Sequence, residues 1–110
     1  MPSHTALLDA LGQLEQTLQQ EGLWQQQAPA ADALLSQVPF CADTLTIESW
    51  LQFVLLPRLH ELAANGLPLP RIQAGQGIGV MLDLQWSQRG IQAPASRRVM
   101  ATIDQILEAS

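Results

Sequence analysis

The chain has 110 residues, 47% of them hydrophobic and 14% charged, which is enough for one domain whose core needs no disulfide or metal. Its net charge of −5, with no lysine, disfavours direct binding to nucleic acid or to an anionic membrane, because phosphate groups require clustered cations. The single cysteine excludes an internal disulfide and is typical of a reducing compartment. We find neither a signal peptide nor an apolar span of ~18 residues. We therefore expect a single cytoplasmic domain over residues 1–110.

A leucine pattern predicts the first helix. Four leucines recur at helical spacing and share one face: Leu7, Leu11, Leu14 and Leu18. Ser3 or Thr5 is the expected N-cap, and Gly22 is the expected left-handed residue that ends the helix. Residues 25–29 are predicted to form a connector.

A short second helix is predicted between Pro29 and Pro39. Asp32 would lie near its amino-terminal end, where the helix dipole favours an acid. Its buried side is expected to consist of Leu34, Leu35 and Val38.

The central helix is predicted to run from about Thr46 to Asn65. Thr46 is a plausible N-cap, with Glu48 in the first turn, and Gly66 lies where a left-handed residue would end the helix. Gln52 is the only polar residue from position 50 to position 56, so most of this stretch should be buried by neighbouring helices. Pro57 removes one backbone hydrogen bond and is expected to bend the helix near Phe53.

The segment from Ile78 to Trp86 fits two periods. Every second residue is apolar or aromatic, which is typical of a strand, while Ile78, Met81, Leu82 and Trp86 form a helical stripe. A lone strand would leave its backbone unpaired, so we predict a helix. A last helix is predicted over about 96–108. The expected fold is therefore all-α, a small bundle of four to five helices around the central helix.

No set of residues forms a convincing catalytic or metal-binding motif. Neither His4 nor His60 has a further ligand at metal-binding spacing, and no cofactor is predicted. The glycines from Gly75 to Gly79 lack the features of a phosphate-binding motif and are expected to form a flexible loop. Cys41 and His60 could form a catalytic pair on paper, although a buried thiol and a polar helix side chain explain them more simply.

The central helix also carries residue types that are common at interfaces. Trp50 and Arg58 belong to the types enriched at binding hot spots. Phe53 is expected to be a core residue, and for Trp50 the core is favoured less strongly over an exposed role. Arg58 would either face a partner or be paired with Asp43 or Glu61.

Several motifs in the middle of the chain resemble those of a known family. They are Phe40-Cys41-Ala42-Asp43-Thr44, Trp50-Leu51-Gln52-Phe53-Val54, Pro57-Arg58 and Pro68-Leu69-Pro70. They are similar to the F-x-x-D-T, W-L-Q-aromatic-V, I/L-P-R and P-L-P pattern of the YqcC-like family of small bacterial proteins. The similarity is dense over residues 38–70.

The resemblance implies a helical bundle and an association with tRNA pseudouridine synthase C, which rests largely on neighbouring genes. It transfers no catalytic residue. Pseudouridine synthases use a catalytic aspartate within a mixed α/β fold, and this chain does not resemble that fold. The resemblance therefore implies an accessory partner of the enzyme, whose acidic surface would suit a basic RNA-binding protein.

The leading hypothesis is a non-catalytic interaction protein, linked through a protein partner to tRNA pseudouridine modification. Its candidate interaction residues are Asp43, Thr44, Trp50, Gln52 and Arg58. The alternative is a small-molecule-binding protein or enzyme with a site near Cys41, Asp43 and His60. A homo-oligomer is a further option, because few charges oppose self-association.

Overall fold

All regular structure in the described part of the chain is helical. The structure is a computed structural model and describes residues 2–71 and 77–109, where no strand occurs. The all-α prediction is confirmed. Of the glycine-rich run predicted as a loop, residues 75–76 lie outside the described residues, whereas Gly79 already belongs to a helix.

Helix α1 (Pro2–Gln20) contributes one continuous leucine face to the core. All four predicted leucines are buried: Leu7, Leu11, Leu14 and Leu18. The helix ends as predicted, because Gly22 has a φ of +77° and the Leu23 N–H donates to the Leu18 carbonyl at 2.8 Å. The predicted N-cap is wrong, since Ser3 and Thr5 already lie within the helix.

Helix α2 (Ala31–Leu34) is a single turn that does not pack on the core. The prediction of its buried side is wrong: Leu34, Val38 and above all Leu35, with 77% of its surface accessible, are exposed. A four-residue helix has no stable amphipathic face of its own. A single 3₁₀ turn, Pro39–Cys41, follows and leads into the central helix.

The central helix consists of α3 (Ile47–Trp50), a π-helical stretch (Leu51–Leu55) and α4 (Leu56–Ala64). Its predicted ends are confirmed. The Thr46 hydroxyl accepts the Ser49 N–H at 3.3 Å, and Gly66 has a φ of +65°.

The π-helical stretch lies where Pro57 was expected to disturb the central helix. The Leu56 N–H donates to the Leu51 carbonyl, five residues back, and Pro57 has no N–H to continue an α-helical ladder. The predicted disturbance thus takes the form of a widened turn, and a bend of the helix axis stays a prediction.

Helices α5 (Ile78–Gln88) and α6 (Pro94–Ala109) complete the described fold. The helical prediction for the segment from Ile78 to Trp86 is confirmed, and α6 begins two residues earlier than predicted. Helix α1 packs against α4 and α6, and α5 packs against α6 and α3. No helix of the described residues is long and apolar enough to cross a membrane.

Two helices begin on carboxylates supplied by distant parts of the chain. Asp104 of α6 accepts the N–H groups of Ile78 and Gly79 at 2.9 and 2.7 Å, which caps α5. Glu21 accepts those of Ala95 and Ser96 at 3.2 and 2.9 Å, which caps α6. Both arrangements put a negative charge at the positive end of a helix dipole and fix the helices relative to one another.

Candidate functional site

Glu48, in the first turn of α3, is held in the interior by α5. It is only 6% exposed, accepts the indole N–H of Trp86 at 3.2 Å, and is bound by both guanidinium nitrogens of Arg89 at 2.8 Å. Burial raises the pKa of Glu48, but the hydrogen bonds and the charge of Arg89 outweigh it, so the pKa lies below its ordinary value. This carboxylate therefore ties the central helix to α5 and is not free for a ligand.

Trp50 forms an aromatic pair with Phe40 just before the central helix. The two rings meet edge to face with their centroids 4.9 Å apart. Phe40 and Cys41 both have a positive φ, of 59° and 50°, which is costly for residues with a side chain. Trp50 is partly buried against the core, so it is neither a full core residue nor a free surface group.

Asp43 and Thr44, two of the predicted interaction residues, hold this turn together. Asp43 accepts a hydrogen bond from the Ser36 hydroxyl, and the Thr44 hydroxyl donates to the Ala33 carbonyl at 2.7 Å. Both side chains are exposed, but these bonds fasten α2 to the segment ahead of the central helix.

Gln52, a third predicted interaction residue, lies inside the protein. It is 8% exposed, and its amide makes two bonds to the backbone of Gln25, accepting the N–H at 2.8 Å and donating to the carbonyl at 2.9 Å. The side chain of Gln25 donates to Ser49 on the same helix. Gln52 thus fixes the connector after α1 onto the central helix and offers no side chain to a partner.

The central helix also carries exposed and partly exposed residues that we call the outer strip: Phe53, Val54, Arg58 and Glu61. The spacing of three and four residues from Val54 to Arg58 to Glu61 puts them on one face. Phe53 and Val54 are partly exposed and are not among the residues that pack on the described core, so the prediction of Phe53 as a core residue is wrong. The π-helical turn changes the register of these side chains relative to an unbroken α-helix.

Arg58 lies at the end of the outer strip and is exposed. Within the described residues the ion pairs are Arg89 with Glu48 and Arg97 with Asp83, and neither Asp43 nor Glu61 pairs with Arg58. The guanidinium is therefore available to a partner in this structure.

The alternative site near Cys41, Asp43 and His60 is not assembled. Cys41 is buried, with its thiol directed at the Ser36 carbonyl, and Asp43 is bound to Ser36. His60 is exposed on α4 and makes no hydrogen bond or ion pair with either residue in the described structure. Within residues 2–71 and 77–109 no three His, Cys, Asp or Glu side chains lie close enough to hold a metal ion.

His60 instead lines a groove of about 540 Å³ between α1 and the central helix, which we call the Gly12 groove. Its walls are mostly apolar, with one carboxylate and one imidazole, and the described residues that line it are Leu8, Leu11, Gly12, Glu15, Trp24, Gln52, Leu56, Pro57 and His60. No sequence pattern indicates this groove, because it depends on how two helices and the connector pack.

The fold and the site together describe a small helical bundle with a preformed exposed strip and a neighbouring groove. Comparison with known proteins gives its family. The family model described as tRNA pseudouridine synthase C matches residues 6–106, and the chain belongs to this family, which includes YqcC-like proteins. No solved structure matches the chain.

Three relatives illustrate the family. An uncharacterized protein of Haemophilus influenzae is 50% identical over 60 residues, which cover 54% of this chain and 57% of the relative. The uncharacterized protein YqcC of Escherichia coli is 37% identical over 70 residues, 64% of either chain. A tRNA pseudouridine synthase C of Pectobacterium carotovorum is 38% identical over 71 residues, which cover 64% of this chain and 19% of the relative. The chain thus matches less than two-thirds of the length of each.

Proposed function

We propose that this protein is a non-catalytic accessory protein that binds a tRNA pseudouridine synthase through the outer strip of its central helix. The observation that carries the proposal is Arg58, an exposed cation without an ion-pair partner in the described structure, four residues after the partly exposed Val54 and therefore on the same helix face. An arginine beside apolar side chains is the composition of an interface hot spot.

The identity of the strip residues supports the proposal. Phe53, Val54 and Arg58 belong to the W-L-Q-aromatic-V and P-R motifs on which the family resemblance rests. Core packing accounts for buried motif residues such as Leu51, but it does not account for the exposed Arg58 and only in part for the partly exposed Phe53 and Val54. Exposed motif residues are better explained by binding.

The length of one relative supports the choice of partner. In the Pectobacterium protein named tRNA pseudouridine synthase C, the 71 matching residues are 19% of the chain, which makes that protein about 370 residues long. A segment similar to our chain is thus covalently joined to a much longer remainder there. Joining two modules in one chain raises their effective concentration, which is useful when they act together.

The charge of the chain fits a basic partner. The net charge of −5 would attract a protein that itself binds RNA through clustered cations, and would repel the RNA. The accessory protein would then contact the enzyme and leave the RNA to it.

The experiment is direct binding between the full chain and tRNA pseudouridine synthase C of the same organism, measured at about 100 mM salt, where a surface charge is only partly screened. We expect saturable binding that Arg58→Ala, combined with Phe53→Ala, weakens at least roughly tenfold. Arg98→Ala is the matched control, since it removes one exposed arginine from α6. Absence of binding, or equal loss with the control, would overturn the proposal.

A further inference from the structure

The Gly12 groove is open space that the packing of this chain does not require. Gly12 lies in the middle of α1, where glycine is among the least favourable residues. A Cβ built on Gly12 would meet no described atom within 4 Å, so no close contact inside the protein demands a glycine there. The missing side chain leaves the backbone of α1 bare in the groove wall.

The groove carries one negative charge and no fixed positive charge. Glu15 is exposed at its edge and makes no ion pair with any described residue. Gln52 is already bonded to the backbone of Gln25, so Glu15 and His60 are the polar side chains of the described lining that are left to contact an occupant.

The chain ahead of Arg58, which follows the groove residue Pro57, is acidic. Residues 1–57 contain six acids and no lysine or arginine, and all five arginines follow. Two of those acids, Glu21 and Glu48, are engaged in a helix cap and an ion pair, while Glu15 is not. Glu15, the one carboxylate among the described lining residues, therefore favours a cation in the groove over nucleotides and other anions.

The apolar wall favours arginine over a compact cation. Trp24 is partly buried and lines the groove together with Leu8 and Leu56. A planar guanidinium can stack on an indole while its edge binds a carboxylate, and its aliphatic stem covers apolar surface. The α1 wall from Leu8 to Glu15 is only about 10 Å long, which suits one side chain with its neighbours better than a whole helix.

We propose that the Gly12 groove binds an arginine side chain of a basic partner protein, between the carboxylate of Glu15 and the ring of Trp24. This inference rests on the proposed function, which it deepens by naming the chemistry of the partner surface. The outer strip and the groove would then form one interface, since Pro57 lines the groove and Arg58 follows it on the strip.

The probe is the tripeptide N-acetyl-Leu-Arg-Leu-amide, titrated into the ¹⁵N-labelled full chain and followed by NMR. The matched peptide carries citrulline, which has nearly the shape of arginine without its charge. We expect saturable shifts of the Trp24 indole N–H and the Gly12 amide, with affinity at least roughly tenfold weaker for the citrulline peptide and for Glu15→Gln.

Two further variants separate binding from folding. Gly12→Leu should fold, because the space above Gly12 is open, and should abolish the shifts by filling the groove. Asp32→Asn removes an exposed acid outside the groove and should change nothing. Equal shifts with both peptides, shifts confined to other residues, or full binding by Gly12→Leu would overturn the inference.

The outcome is distinguishable from that of the proposed function. If the synthase binds but the arginine peptide does not, the groove inference is wrong and the accessory role stands. If the peptide binds but no synthase does, the chemistry of the groove is right and the partner is wrong. A dimer in sedimentation that Gly12→Leu disrupts would mean that a second copy supplies the arginine, so that the chemistry of the groove is right and the partner is wrong.

Discussion

Both sides of the central helix carry apolar and polar residues, but the inner side buries them and the outer strip leaves them at least partly exposed. On the inner side Glu48, Leu51 and Gln52 are all at least nine-tenths buried, and the two polar groups are bonded to α5 and to the connector. On the outer strip Val54 is partly exposed and Arg58 is exposed. The difference indicates that the inner side holds the fold together, whereas the outer side is available to a partner.

The largest expected change in the free energy of unfolding comes from truncating an apolar residue on the inner side of the central helix. Leu51→Ala should lower the free energy of unfolding by about 3 kcal/mol, because Leu51 is fully buried and its truncation leaves a cavity. Val54→Ala, in the next turn but partly exposed, should cost less than about 1 kcal/mol. Urea denaturation of both variants measures this, and similar losses would show that the outer strip is part of the core.

The next effect concerns the buried carboxylate. Glu48→Gln should lower the free energy of unfolding by about 2 kcal/mol. This is less than the loss expected for a fully buried ion pair, because Arg89 is 40% exposed and its guanidinium can be solvated by water. Arg58→Ala on the outer strip should change stability by less than about 0.5 kcal/mol. A comparable loss from Arg58→Ala would mean that this side chain has a structural partner.

Glu48→Gln should also change how the free energy of unfolding depends on pH. The pKa of Glu48 is lowered in the folded protein, so the stability it contributes is present above its ordinary pKa and is lost as the pH falls through its folded value. Burial raises the pKa of Asp104, only partly offset by the N–H groups it caps, so its charge costs stability at neutral pH and protonation relieves that cost. Between about pH 5 and 3, Glu48→Gln should therefore lose less stability than the natural chain, and a parallel loss would contradict the role given to Glu48.

The smallest effect tests the cause of the π-helical turn. Pro57→Ala restores an N–H to α4 and should raise stability by at most about 1 kcal/mol while moving the side chain of Phe53. NMR would detect this as a slowly exchanging amide at position 57 and altered shifts of the Phe53 ring. Unchanged Phe53 shifts would show that another contact imposes the π-helical turn.

Most features that depend on a few neighbouring residues were predictable, with the N-cap of α1 as an exception. The end of α1 at Gly22, the N-cap at Thr46 and the end of the central helix at Gly66 all follow from residues within about one helical turn. The helix over the segment from Ile78 to Trp86 needed one further argument, since its apolar period was ambiguous and only the lack of a partner strand decided it.

The candidate site was less predictable because burial is a property of the whole molecule. Phe53 and Gln52 are adjacent, and hydropathy puts the aromatic residue inside and the amide outside. The structure differs, because the connector at Gln25 bonds to Gln52 and buries it, whereas Phe53 remains partly exposed. No pattern within the central helix contains that information.

The sequence by itself thus determined an acidic all-helical domain, the ends of its main helices and the family to which it belongs. Only the tertiary structure decided that Glu48 meets Arg89, that Glu21 and Asp104 cap helices far along the chain, and that Arg58 remains free of an ion pair in the described structure. The physical reason is the sequence distance over which each interaction acts. Helix propensity and capping act over a few residues, whereas an ion pair between positions 48 and 89 or a groove between two helices exists only after the chain has packed.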